Sequence, residues 1–558
     1  MRAVLAFLVA CVTTVSALIN PILPGWNPDP TILRVGKDYF IVTSTFEQFP
    51  GHPIYHSTDL VKWDIIGHAL TRPSQTGLFG SGGPPDGGIW APTLRYHNGV
   101  YYLATGARHV YTAELRIPGR PFFVTTTNIF GGEWSDPTYI DGVGYDLDLF
   151  FDNNGDVYAT WCGINNFAQK IYGIYQSKID IKTGDSLTDV ELIWTGILPN
   201  DAAARPEGPH LYYINKTYYL VIAEGGTSTP HRATVARGPT PRGPWEASPH
   251  NPFIYNVGLD PSAAVQWTGH ADLVQTPKGD WFGTMLGTRP QGADRNQSHI
   301  QLGRETFLYP VTWTTDGWPI AYGGDKPITE HLPGVLYDRS PLSNYANEFR
   351  NTRDLDGDKS FYFTRTQIKK FASVQDDALV IKGNAYNLSD RDAPALLLRR
   401  QSTYEETFET KLEGFVPRSN LTEAGASVWY GETMHHDIAV TLDESGNRVI
   451  RTRLLTYPTQ ILYTSLKTKD ADVRFRIVGT STSYTLSFSE GSDTTWTDTA
   501  TVDSYYLTVP PAGGFFFKGT GFGVYNTGNG KPTLVKARFA YWKQTPVIPS
   551  APVARDEI

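Results

Sequence analysis

The sequence predicts an all-β chain, a five-bladed β-propeller followed by a β-sandwich, and three observations carry that prediction. Aromatic residues make up 13% of the chain and glycines number 53, a composition that favours strands joined by many turns. A strand, a tight turn and an aromatic strand recur five times in the first 325 residues. Beyond about residue 340 that repeat gives way to short alternating strands.

At 558 residues the chain is too long for one ordinary core, so two or three domains are expected. Residues 1–17 read as a secretory signal: Arg2 is the positive start, Ala3 to Val12 the apolar run, and Val15-Ser16-Ala17 the small-residue cleavage site. Neither this run nor any later one is long enough to span a bilayer, so the expectation is a secreted, extracellular protein cut after Ala17. Cys11 then leaves with the signal and Cys162 stays alone, which excludes an intramolecular disulfide and a cysteine metal site. The formal net charge of −8 argues against nucleic acid or an anionic membrane as partner. It suits a neutral ligand such as a sugar, whose faces Trp and Tyr side chains can stack on. Asn215, Asn296, Asn387 and Asn420 begin N-glycosylation sequons.

The first unit opens at Trp26-Asn27-Pro28-Asp29-Pro30, where two prolines are expected to hold Asp29 extended at the start of a strand. That strand turns into Lys37-Asp38-Tyr39-Phe40-Ile41-Val42. The unit led by Ala91 turns at Asn98-Gly99, the one led by Asp146 at Asn154-Gly155, the one led by Glu207 at Asn215-Lys216, and the one led by His270 at Lys278-Gly279. Units about sixty residues apart leave room for one four-stranded blade each. First strands of blades line the central channel, so Asp29, Ala91, Asp146, Glu207 and His270 are expected at equivalent heights around one axis. Carboxylates gathered there raise one another's pKa, which can separate a proton donor from a proton acceptor.

The propeller is expected over 18–325 and a linker over 326–340, through Gly323-Gly-Asp-Lys-Pro and Leu332-Pro-Gly. Strands such as Ala378-Leu-Val-Ile-Lys, Thr407-Phe-Glu-Thr-Lys-Leu and Val473-Arg-Phe-Arg-Ile-Val then fill a sandwich over 341–545, ahead of a disordered tail at 546–558. Long helices, a phosphate-binding glycine loop and a Gly-x-Ser-x-Gly elbow are all missing from the sequence.

Several motifs in this order resemble glycoside hydrolase family 43. They are Asn27-Pro-Asp29-Pro, Ser44-Thr-Phe46-Glu-Gln-Phe49-Pro-Gly, Gly88-Ile-Trp90-Ala-Pro-Thr, Tyr145-Asp146, Glu207-Gly-Pro-His, Gly269-His270-Ala-Asp and Leu302-Gly-Arg304-Glu-Thr. The C-terminal region is similar to the sandwich that accompanies exo-acting β-xylosidases and α-L-arabinofuranosidases. The resemblance implies Asp29 as general base, Asp146 as the carboxylate that orients the acid and modulates its pKa, and Glu207 as general acid. It implies inversion, with the two working carboxyls roughly 6.5–9.5 Å apart. Phe46 and Trp90 fall where the family stacks the terminal sugar, Tyr145 beside the modulating acid, and Arg304 on a substrate-binding arginine. His270 resembles a channel histidine that meets a bound ion or water. A structural calcium ion reached through water is one expectation there, and a histidine simply hydrogen-bonded in place is the other. No cofactor is required by the implied reaction.

The Tyr145-Asp146 pair looks more like arabinoxylan-debranching arabinofuranosidases than like β-xylosidases, which more often carry Phe-Asp-Pro-Ser. The expected substrate is therefore arabinoxylan or a xylo-oligosaccharide that loses single terminal L-arabinofuranosyl units. A β-D-xylosidase or a bifunctional enzyme is the first alternative, and a carbohydrate-binding propeller without turnover is an alternative of another class.

Overall fold

The computed structural model describes residues 17–81, 86–109, 119–166, 170–292, 299–333, 342–350, 355–468, 471–508 and 517–547. Residues 1–16 of the signal, Cys11, the Asn296 sequon, 334–340 of the expected linker and 548–558 of the expected tail lie outside them. Helix among the described residues is confined to Asn256–Leu259 and two short 3-10 turns.

Five antiparallel sheets form the propeller, each from one continuous stretch of the chain, the first of them passing over the short strand Gln48–Phe49. The hairpins read from the sequence open the sheets: Thr31–Val35 pairs with Asp38–Val42, Thr93–His97 with Val100–Arg108, Tyr145–Phe151 with Val157–Asn166, Glu207–Ile214 with Thr217–Glu224, and Gln266–Gln275 with Trp281–Thr288. At the Asn98-Gly99 turn both residues have positive φ, 49° and 84°, the geometry whose twist matches the flanking strands.

The first strands of neighbouring sheets touch one another around the axis. A repeated hydrogen bond stitches them. Leu94 N donates to Thr31 Oγ1 at 3.2 Å, Leu211 N to Asp148 Oδ2 at 2.8 Å, and Ile32 N to Asp272 Oδ2 at 2.9 Å. A buried side-chain oxygen in one blade thus satisfies a backbone donor in the next, a group that would be costly to leave unpaired. Thr31, Thr93, Asp148, His210 and Asp272 pair with Val42, Ala104, Thr160, Val221 and Thr284 at matching places in their hairpins.

This register corrects one expectation. Two residues before each of those positions stand Asp29, Ala91, Asp146, Gly208 and His270. Gly208, not Glu207, is the fourth blade's equivalent of Asp29, and Glu207 lies one residue earlier.

Ala17–Ile19 pairs with His331–Pro333, so ordered strand reaches into the stretch expected to be linker. The second domain is a sandwich of two eight-stranded sheets. Strands Glu406–Leu412 and Val473–Gly479 alternate buried and half-buried residues, as a sheet with one face in the core must. Phe408 centres that core, its ring 4.8 Å from Trp542 and 5.4 Å from Phe522. The other sheet is completed at its edge by the propeller: Gln48–Phe49 pairs with Phe361–Thr364. The two domains therefore share hydrogen-bonded sheet as well as packed surface. Cys162 is free and buried. Asn215 and Asn420 are exposed and Asn387 is half-buried.

Candidate active site

The inner strands kink where they reach the channel mouth. Pairing shifts register between Tyr145 and Asp148, between Glu207 and His210, and between Gly269 and Asp272. At these bulges Asp146, Gly208 and His270 have φ of 56°, 56° and 51°, and Asp29 has 54° in the first blade. Asp29 is thus left-handed rather than extended, which corrects the second expectation. A bulge adds a residue to one strand and re-aims its side chain, here off the sheet and into the channel. Asp tolerates that backbone better than most residues, and hydrogen bonds to its carboxylate offset the strain. In the fourth blade the position is glycine because a Cβ there would lie 2.9 Å from Cε1 of His270. The imidazole occupies that space, and the fourth blade supplies its carboxyl from the preceding residue, Glu207.

Asp29, Asp146, Glu207, His270 and Arg304 line one cavity of about 520 Å³, a common size for a small-ligand site. Their environments differ. Asp29 accepts hydrogen bonds from Ser44 Oγ at 2.6 Å and from Arg304 Nη1 at 2.8 Å. Burial pushes its carboxyl up, but Arg304, His270, Ser44 and His231 outweigh burial and hold it below the usual carboxylate range. Burial pushes His270 and His231 down to about 3 and about 4, so both are neutral at neutral pH. Arg304 and Ser44 are then what keep Asp29 ionised.

Glu207 is pushed up to about 7, first by burial and then by Asp29, against Arg205 and Arg304. Tyr145 Oη donates to its Oε2 at 3.4 Å. Asp146 is also raised, by burial, Glu207 and Asp29, while its Oδ2 accepts the Gly208 N–H at 2.9 Å. That backbone donor opposes the shift at Asp146, as Arg205, Arg304 and the Tyr145 hydroxyl oppose it at Glu207, so the two carboxyls titrate as a coupled pair raised by burial. One carboxyl that keeps its proton near neutrality and one that does not thus face the same cavity, the arrangement needed for paired acid and base work.

Aromatic rings form the wall. Phe46 stacks on Phe517 at 5.5 Å and 13°, and Trp90 meets Tyr145 edge-on at 5.1 Å. Phe517 belongs to the sandwich. Its carbonyl accepts from Trp26 Nε1 at 2.7 Å and from Arg304 Nη2 at 3.3 Å. Arg108 lies over Trp90 at 4.6 Å and Arg205 over Tyr172 at 5.1 Å, and both arginines line the cavity. The structure thus brings together all eight residues singled out from the sequence, and adds Ser44, Arg108, Arg205 and Phe517. The only sequence sign of Phe517 is the Phe515-Phe516-Phe517 run after two glycines.

His270 Nδ1 lies 3.9 Å from Asp29 Oδ1, an oxygen already bound by Arg304. Among the described residues no three His, Cys, Asp or Glu side chains converge as a metal cage. Calcium takes six to eight oxygens, so an ion beside His270 would take most of its ligands from water.

A propeller with paired carboxyls of opposite protonation in an aromatic-walled cavity defines a glycoside hydrolase. Residues 18–319 match the family model for glycosyl hydrolases family 43, and the chain belongs to that family. Residues 348–545 match the beta xylosidase C-terminal concanavalin A-like domain. The chain is 36% identical over 532 residues to a non-reducing end alpha-L-arabinofuranosidase of Bacteroides ovatus, covering 94% of each. It is 36% identical over 439 residues to a xylosidase/arabinosidase of Humicola insolens, covering 77% of each. Among solved structures, xylan beta-1,4-xylosidase from Bacillus halodurans superposes with a TM-score of 0.85 at 30% identity, over 94% of this chain and 99% of that one.

Proposed function

We propose that the enzyme is an exo-acting, inverting α-L-arabinofuranosidase that removes single terminal units from arabinoxylan. The observation that carries this reading is the sharing of one cavity by Asp29, bound by Arg304 and Ser44, and Glu207, whose carboxyl burial pushes up to about 7. Glu207 gives its proton to the glycosidic oxygen as the bond from C1 to that oxygen breaks. Asp29 takes a proton from the water that attacks C1 from the opposite face, so a hydroxyl is added there with inverted configuration. Asp146, through the Gly208 N–H, fixes the backbone that carries Glu207, and its charge when ionised favours the protonated acid. Arg304 keeps Asp29 ionised, and Phe46, Trp90 and Phe517 pack around the sugar. These residues supply both proton transfers without a cofactor.

The Tyr145-Asp146 pair supports the arabinosyl preference, as does similarity to the Bacteroides arabinofuranosidase along 94% of both chains. A second reading, β-D-xylosidase or dual activity, is supported by the Humicola xylosidase/arabinosidase and by a beta-xylosidase of Bacillus subtilis, 31% identical over 448 residues. Residues 1–17 support export from the cell. The test compares nitrophenol release from the α-L-arabinofuranoside and the β-D-xyloside, then sugar release from arabinoxylan and linear xylo-oligomers. Faster release from the arabinosyl substrates is expected. Preference for the linear xylosyl oligomers overturns the arabinosyl assignment.

A further inference from the structure

The sandwich segment 517–520 crosses the propeller stretch 301–303 with no space to spare. A Cβ on Gly519 would lie 2.3 Å from the Leu302 carbonyl oxygen and 2.8 Å from Trp26 Cβ, and a Cβ on Gly303 would lie 2.2 Å from the Lys518 carbonyl oxygen. Thr520 N donates to Gln301 O at 2.8 Å. From this crossing the Lys518 side chain enters the domain interface, where it is 4% exposed. Its Nζ lies 2.5 Å from Glu47 Oε1 and 3.3 Å from Asp86 Oδ1, with the Tyr430 ring 5.1 Å away.

Each of these carboxylates is tied to the sugar-facing wall. Glu47 follows Phe46 in sequence. Asp86 accepts from Phe517 N at 3.3 Å through Oδ2 and from Trp90 Nε1 at 3.1 Å through its carbonyl. A buried ion cluster is a poor device for stability alone, since well-packed apolar residues do as well, and its best-attested use is to fix register. Here the register it fixes belongs to three aromatic residues and to a carbonyl that binds Arg304.

We propose that Lys518 is a positioning residue for the glycosidase reaction. Clamped by Glu47 and Asp86, it holds Phe46, Trp90 and Phe517 around the sugar and, through the Phe517 carbonyl, aims Arg304 at Asp29. Lys518 touches no reacting atom. This inference rests on the function proposed above.

The experiment uses the full chain and whichever nitrophenyl pentoside the wild type prefers. Lys518→Met is expected to lower kcat/KM at least tenfold and to raise the acid limb of its pH profile, because Arg304 loses its anchor. Lys518→Arg, which keeps the charge, is expected to recover part of both. Wild-type kcat/KM with an unmoved acid limb in folded Lys518→Met overturns the proposal. If that variant does not fold, Glu47→Gln is read by the same two criteria, since it keeps the shape and removes one charge from the clamp. A wild type inert toward both pentosides overturns the functional reading itself, whereas an active wild type with an indifferent Lys518→Met overturns only this inference.

Discussion

Arg304 donates from Nη1 to Asp29 at 2.8 Å, inside a channel where Asp29 is 5% exposed. Without that cation, burial would raise the Asp29 carboxyl toward protonation at working pH. Replacing Arg304 by Met should therefore move the acid limb of kcat/KM upward and lower its plateau by about 10² or more. The pH profile of the variant checks this. An unshifted limb means that Arg304 does not tune Asp29.

The alkaline limb should belong to Glu207, which must be protonated to act and is pushed up to about 7. Activity is expected to fall as pH rises through that value. Glu207→Gln should lose about 10²–10⁴ in kcat/KM on substrates with poor leaving groups, and much less on aryl glycosides whose leaving group needs no proton. Rates across leaving groups of graded acidity measure the difference.

Tyr145 offers a finer test. Its hydroxyl donates to Glu207, a bond that favours the ionised form. Tyr145→Phe should shift the alkaline limb to higher pH. A shift in the other direction would mean that the hydroxyl serves the protonated acid.

Glu207 should also appear in stability. Its folded pKa is raised from 4.5 to about 7, so between those values the folded chain binds more protons than the unfolded chain, and stability falls as pH rises. The loss is roughly 3 kcal/mol, complete above about pH 7. Glu207→Gln cannot ionise, so its thermal midpoint should exceed that of the wild type at pH 8 by more than at pH 5. Equal differences at both pH values would contradict the raised pKa.

The blades were legible because their signals are local: Asn98-Gly99 demands positive φ, and alternating side chains mark each strand. The carboxylates were legible because each stands at the start of such a unit. Their exact station was not. Proline rules place Asp29 in extended backbone, but contacts from Ser44 and Arg304 favour the left-handed form. The one-residue offset of Glu207, by contrast, lay in the spacing to the turn: Asp29 stands seven residues before Gly36 and Ala91 seven before Asn98, but Glu207 stands eight before Asn215. Phe517 was missed for a different reason: it reaches Arg304 from 213 residues away, across a domain boundary. Sequence patterning reports which face of a strand is buried, not which other domain buries it.

The mechanism requires two carboxyls working from opposite faces of one sugar ring. Proton NMR of the anomer released first, recorded before mutarotation, tests this most directly. From an α-L-arabinofuranoside the predicted first product is β-L-arabinofuranose. Initial appearance of the α-anomer would place a covalent intermediate on the path and contradict the assignment of Asp29 as base to an attacking water.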